Sequence, residues 1–265
     1  MNRIEQRLQE LTQQNKKAFI TYMTAGLPSL EGTKDIILAQ DEAGTDIIEL
    51  GIPFSDPVAD GPIIQEASFE SIQLGTNLSK VFTVVEQVRE KSQIPIVFML
   101  YYNTVLYYGV ENFVKKCKET GVDGFIIPDL PLEEQEEINE FLEGEDAPVL
   151  VQLVSPVSKQ RIPLILSKAR GFVYCVSAMG VTGHAATFHK DIQEYLAEVK
   201  RASNIPVMMG FGIRSAKDVE PMKDNIDGAI VGTHFIKLMK ECNYDLDTIK
   251  DYCRTFKKKL NETFL

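Results

Sequence analysis

The feature that most constrains this chain is a rhythm: short apolar runs alternate with longer amphipathic stretches from one end to the other. The apolar runs are AFITYMTAG (18–26), DIIEL (46–50), IPIVFMLYY (94–102), DGFIIPD (123–129), APVLVQLVSP (147–156), FVYCVS (172–177), IPVMMGFG (205–212) and DGAIVGT (227–233). Between them, apolar residues recur at helical spacing over 30–43, 63–74, 81–91, 110–121, 132–144, 159–171, 192–203, 215–224 and 234–240, with an extra helix at each end, 4–14 and 246–260. Strands that alternate with helices must be parallel and joined by crossovers. Eight such units in 265 residues match a (β/α)₈ TIM barrel with an extra N-terminal helix and additional helices. The competing architecture, an open doubly wound sheet, is disfavoured because no G-x-G-x-x-G opens the first unit. No Pro/Gly/Ser-rich linker interrupts the rhythm, so 1–265 reads as a single domain.

Composition narrows the function. The formal net charge is −10, which argues against nucleic acid, whose binding rests on many cation–phosphate contacts. A small phosphate ligand stays open, because backbone N–H groups can hold one without net positive charge. No apolar run approaches the ~18 residues of a membrane span. The polar N-terminal stretch lacks the apolar core of a secretory signal, pointing to a cytoplasmic protein. Cys117, Cys175, Cys242 and Cys253 are scattered and read as reduced, half-buried residues. Only three histidines, His184, His189 and His234, are present, and a metal site built from them would be thin.

In a barrel, chemistry sits where the strands end. The second strand ends in Glu49. If Ile48 and Leu50 pack on helices, alternation turns Ile47 and Glu49 inward. Near oily residues such as Phe19 and Tyr22, its carboxyl would be desolvated and its pKa raised toward ~6–7; the alternative is a rim carboxylate in a salt bridge. The following loop, GIPFSDPVADGP (51–62), is long and stiffened by Pro53, Pro57 and Pro62. Asp60-Gly61 and Asp56-Pro57 read either as turns or as acids facing a substrate or partner. The glycine loops GFGI (210–213) and VGTH (231–234), after the last two strands, fit a phosphate site in which Gly210, Gly212 and Gly232 admit close backbone approach and Thr233 adds a hydroxyl or N-cap. The stretch 177–191 reads as a lid lending an N–H at Gly183, or as a plain surface loop. YYNTVLYYG (101–109) reads as a packed aromatic layer, Tyr174 could add a phenol, and Asp129 stands at the rim. A Schiff-base aldolase would want a lysine at a strand end, and none is found there.

ELGIPFSDPVADGPIIQ (49–65), MLYYN (99–103), IPDLPLEE (127–134), SAMGVTG (177–183) and GFGI (210–213), in this order, resemble the tryptophan synthase alpha subunit family. The resemblance implies retro-aldol cleavage of indole-3-glycerol phosphate to indole and glyceraldehyde 3-phosphate. It implies Glu49 as general acid–base, Asp60 as the acid holding the indole N–H, and Tyr174 as an assisting tyrosine. It also implies Tyr22, Leu100 and Phe211 lining the indole pocket, and Gly183, Gly212, Gly232 and Thr233 binding phosphate. No cofactor is implied for this chain. The resemblance implies as partner a pyridoxal-phosphate beta subunit in an αββα assembly, with loop 51–60 facing it. A stand-alone lyase and a purely allosteric subunit are the alternatives. Thr104, Ala178, Met179, Tyr22 and His234 depart from the family pattern.

Overall fold

The computed structural model describes residues 1–176, 185–210 and 212–263. Among these, nine strands form one parallel sheet: β1 (Ala18–Thr24), β2 (Ile47–Gly51), β3 (Ile96–Met99), β4 (Gly124–Ile126), β5 (Val149–Leu150), β6 (Gln152–Val154), β7 (Val173–Val176), β8 (Val207–Gly210) and β9 (Gly228–Val231). Their order is β5-β4-β3-β2-β1-β9-β8-β7-β6. The two ends of that ladder, β5 and β6, are halves of one apolar run broken only at Val151, whose N–H still donates to Phe125 O (3.0 Å). The sheet therefore closes on itself as a TIM barrel, and the open-sheet alternative is excluded.

Helices clothe the barrel: α1 (Arg3–Gln13), α2 (Leu30–Glu42), α3 (Pro62–Gln73), α4 (Leu78–Arg89), α5 (Tyr102–Tyr108), α6 (Val110–Thr120), α7 (Glu136–Asn139), α8 (Ile162–Leu166), α9 (Ala185–Ala202), α10 (Thr233–Glu241) and α11 (Leu246–Thr263). Three expected helices are much reduced. The run 132–144 yields a 3₁₀ turn and the single-turn α7, whose glutamates repel one another and whose one buried anchor is Ile138. Pro163 in α8 and Pro221 in the 3₁₀ segment Glu220–Asn225 each remove a backbone donor, so 159–171 and 215–224 fold as 3₁₀ turns and one short helix. Conversely, α5 forms from the Tyr-rich stretch that gave no helical pattern.

Strand alternation builds two cores. Ile20, Ile47, Val97, Ile126, Val149, Val151, Phe172, Met208 and Ile230 fill the barrel interior. Phe19, Ile48, Leu50, Ile96, Phe98 and Phe125 point outward against the helices. The N-terminal end of the barrel is plugged by α1, whose Ile4, Leu8 and Leu11, spaced to share one face, join the interior core. Asn2 locks the plug: its side chain caps Ile4 N (2.9 Å) and donates to Asp123 O (2.7 Å) and Ala147 O (3.1 Å). With one end sealed, the opposite end is where a ligand can enter. Among the described residues no helix is long and apolar enough to cross a membrane.

Candidate active site

A cavity of about 500 Å³ opens at the C-terminal end of the strands. Glu49 is in its wall, delivered there by β2: Ile47 below it is interior core, while Ile48 and Leu50 pack outward. The Glu49 side chain is 2% exposed, and neither carboxyl oxygen has a hydrogen-bond partner among the described residues. Burial, with the Asp60 charge second, pushes its pKa up to about 8. The salt-bridge alternative thus fails for Glu49, and the shift is larger than the sequence suggested. Phe19 is not a neighbour: it points outward and stacks on Phe256 (centroids 4.4 Å).

Two phenols frame the carboxyl, and two glycines make room for them. Tyr22 pairs with Glu49 in the β1–β2 register. Its ring lies across Gly51, where a Cβ would meet the phenol oxygen at 2.1 Å. Tyr174, on β7, lies across Gly210, where a Cβ would meet its ring at 2.7 Å. Gly210 therefore makes room for Tyr174 in the cavity wall. Burial raises both phenol pKa values, so the hydroxyls stay neutral and able to donate.

Asp60 sits in the loop between β2 and α3. Tyr101 fastens that loop: its Oη donates to Asp60 Oδ2 (2.9 Å) and accepts from Ala59 N (2.9 Å), while its ring stacks on Phe54 (5.0 Å). Ser68 holds the other side, accepting from Phe54 N (2.8 Å) and donating to Phe54 O (3.0 Å). Burial raises the Asp60 carboxyl pKa and the Tyr101 hydrogen bond opposes that rise. The Asp60 charge in turn raises Glu49, Tyr22 and Tyr174. The two acids are thus electrostatically coupled but differently surrounded.

The other end of the cavity carries the glycine loops. Gly212 takes a left-handed backbone (φ +57°), and nothing lies within 4 Å of where its Cβ would be. Gly232, not Thr233, is the N-cap of α10; Thr233 is the first helical residue. The leading N–H groups of a helix have no intrahelical partner and favour anions. Arg214, His234 and Lys237 line the same end; the sequence singles out only His234, as a departure from the family pattern, and gives no sign of Arg214 or Lys237. Burial and the charge of Arg214 lower the His234 pKa.

Several sequence expectations are revised. Leu100 is not in the cavity wall but in the outer core; its neighbour Met99, on the alternate face, lines the cavity with Ile64, Ile213 and Ile230. Asp129 caps the start of α5, accepting from Tyr102 N (2.9 Å). Asp56 is exposed and bonded to Ser55 (2.5 Å). Gly183, Phe211 and the lid residues 177–184 lie outside the described residues. Among the described residues no group of three His, Cys, Asp or Glu could hold a metal ion.

The tryptophan synthase alpha chain family matches residues 8–263. The alpha chain of Lachnospira eligens is 63% identical over 263 residues, covering 98% of this chain and 100% of that one. The alpha chain of Thermoanaerobacter sp. strain X514 is 43% identical, covering 99% of each. The crystal structure of tryptophan synthase subunit alpha from Legionella pneumophila superposes with a TM-score of 0.90 at 30% identity, covering 99% of each chain. A protein of Aquifex aeolicus gives 0.88 at 33% identity, covering 98% of this chain and 100% of that one. On a barrel whose mouth holds a desolvated glutamate, a tethered aspartate and two glycine loops, these matches mean that the chain belongs to the tryptophan synthase alpha chain family.

Proposed function

We propose that this chain, a carbon–carbon lyase of tryptophan biosynthesis by family, cleaves indole-3-glycerol phosphate with Glu49 and Asp60 as its working acids. The observation that carries the reading is the Glu49 carboxyl, buried without a hydrogen-bond partner among the described residues and raised to about 8. A carboxyl in that state is protonated at neutral pH and can act as a general acid. Glu49 delivers its proton to indole C3. The C3–C3′ bond breaks, its electrons returning to the ring, and Glu49 takes the proton of the C3′ hydroxyl as that oxygen becomes the aldehyde. One proton is given and one recovered, so the cycle needs no cofactor of its own.

The ring is cationic after protonation. Asp60, steadied by Tyr101, holds the indole N–H and offsets that charge. One acid neutral and one ionised is the division of labour such chemistry requires. Tyr22 and Tyr174 confine the substrate beside Glu49. Gly212, Gly232 and Thr233 take the phosphate, with Arg214 and Lys237 supplying positive charge; Gly183 and Phe211 complete the phosphate and indole sites.

The chain acts as one domain in the cytoplasm, beside a pyridoxal-phosphate beta subunit in an αββα assembly. Val58, Tyr107 and Val157, 84%, 95% and 85% exposed on segments following β2, β3 and β6, support an apolar docking face around the mouth. The test is incubation with indole-3-glycerol phosphate, with and without beta subunit, measuring released indole. Glu49→Gln should lower turnover by about 10²–10⁴-fold with an unchanged circular dichroism spectrum. Near-normal turnover would sink the assignment.

A further inference from the structure

Tyr252 stands on α11, outside the cavity, yet contacts both segments that form the cavity's cationic end. Its Oη donates to the carbonyl of Arg214 (3.0 Å), in the segment that follows β8. Its ring packs against His234 (centroids 5.6 Å) and Phe235 (5.8 Å) in the first turn of α10. Behind it lies Phe256 (5.9 Å), itself stacked on Phe19 of β1 (4.4 Å), so the tyrosine is braced against the barrel wall. Asp218 also grips the first segment, accepting from Arg214 N (2.9 Å) and Ser215 N (2.7 Å), but it ties that segment to its own 3₁₀ turn rather than to α10.

We propose that Tyr252 is a positioning residue that sets the spacing between the Gly212 segment and the N-terminus of α10, and through it the affinity for the phosphate end of the substrate. The inference rests on the reading that this end of the cavity takes a phosphate. An anion held by backbone N–H groups from two separate loops is bound well only when both sets converge on one point, because hydrogen bonds weaken steeply as they bend or lengthen. Gly212, left-handed and open on its Cβ side, has no side chain to fix its own position. The tether that can fix it relative to α10 is the Arg214 carbonyl, two residues on, and the group holding that carbonyl is the Tyr252 phenol.

Tyr252→Phe keeps the aromatic brace and removes only the tether. By calorimetry, Kd for glycerol 3-phosphate should rise about three- to tenfold, while Kd for indole, which carries no phosphate, should change by less than about twofold. KM for indole-3-glycerol phosphate should rise by a similar factor to the first, and kcat should move by less than about twofold. A merely structural tyrosine would lower the melting temperature and leave this split absent. Unchanged affinity for glycerol 3-phosphate, or equal weakening for glycerol 3-phosphate and indole, would overturn the proposal. Should the unaltered protein bind glycerol 3-phosphate but release no indole, the lyase reading fails, and the two Kd comparisons alone decide the role of Tyr252.

Discussion

Asp46 and Glu49 stand three residues apart on the same stave of the barrel, and their side chains are buried to the same degree, 1% and 2% exposed. Their surroundings are opposite. Asp46, at the plugged end, accepts from Arg7 (2.8 Å), from Phe19 N (2.6 Å) and from Lys257. The pattern recurs around that end. Asp123 accepts from Arg3 (2.9 Å), Arg89 (2.8 Å) and Ile96 N (2.8 Å), and Asp227 from Lys200 (2.5 Å) and Val207 N (2.8 Å). Each aspartate just before a strand thus accepts an N–H from the neighbouring strand and is neutralised by cations. Glu49, at the open end, has none of these partners. The difference teaches that burial of an acid does not by itself mark chemistry. A buried carboxylate with its charge and lone pairs satisfied is part of the frame; one left without partners is held uncharged, and its proton is available.

The contrast can be broken from both sides. The largest effect falls on turnover, in the Glu49→Gln variant described above. The same substitution should leave folding intact and raise stability, in a pH-dependent way. Because the folded pKa of Glu49 is raised, the native state keeps a proton that the unfolded chain has lost between about pH 4.5 and 8. Wild-type stability should therefore fall, relative to Glu49→Gln, as pH rises through that window, by roughly 2–4 kcal/mol at pH 8. Urea unfolding at pH 5 and pH 8 measures this; a constant difference between the two proteins would count against a desolvated Glu49.

Asp46→Asn should do the reverse. It leaves Arg7 and Lys257 facing a neutral group in a buried setting, at a cost of about 3 kcal/mol, read as a lower urea midpoint. Indole release per folded molecule should stay close to normal. A smaller effect is expected at Tyr101→Phe, which keeps the stack on Phe54 but frees Asp60 and Ala59. Loss of one hydrogen bond to a charged group should lower kcat/KM by about tenfold, with the fold unchanged. Turnover equal to wild type would mean that Asp60 needs no tether.

Much of this was legible in the sequence because alternation along a strand is a strong constraint. Once Ile48 and Leu50 are assigned to the helices, Ile47 and Glu49 must face inward, and they do. The apolar run 94–102 does not reveal which residues face inward: Leu100, which the family resemblance put in the pocket, stands in the outer core, and Met99 lines the cavity. Tyr101 reads as packing because a tyrosine at a strand end gives no sign of a partner in a loop 41 residues earlier. Arg214 and Lys237 escaped notice for the same reason; only the folded loops bring them to one cavity. Short helices were the poorest read, since a proline or a cluster of like charges leaves helical periodicity visible while removing what stabilises the helix.

The most direct measurement is the titration of Glu49 itself, by ¹³C NMR of selectively labelled side-chain carboxyls, with Glu49→Gln identifying the resonance. A midpoint near 8 is expected for Glu49, well above the ordinary glutamate range of ~4.3. A Glu49 midpoint in that ordinary range would contradict a protonated general acid at the mouth of this barrel.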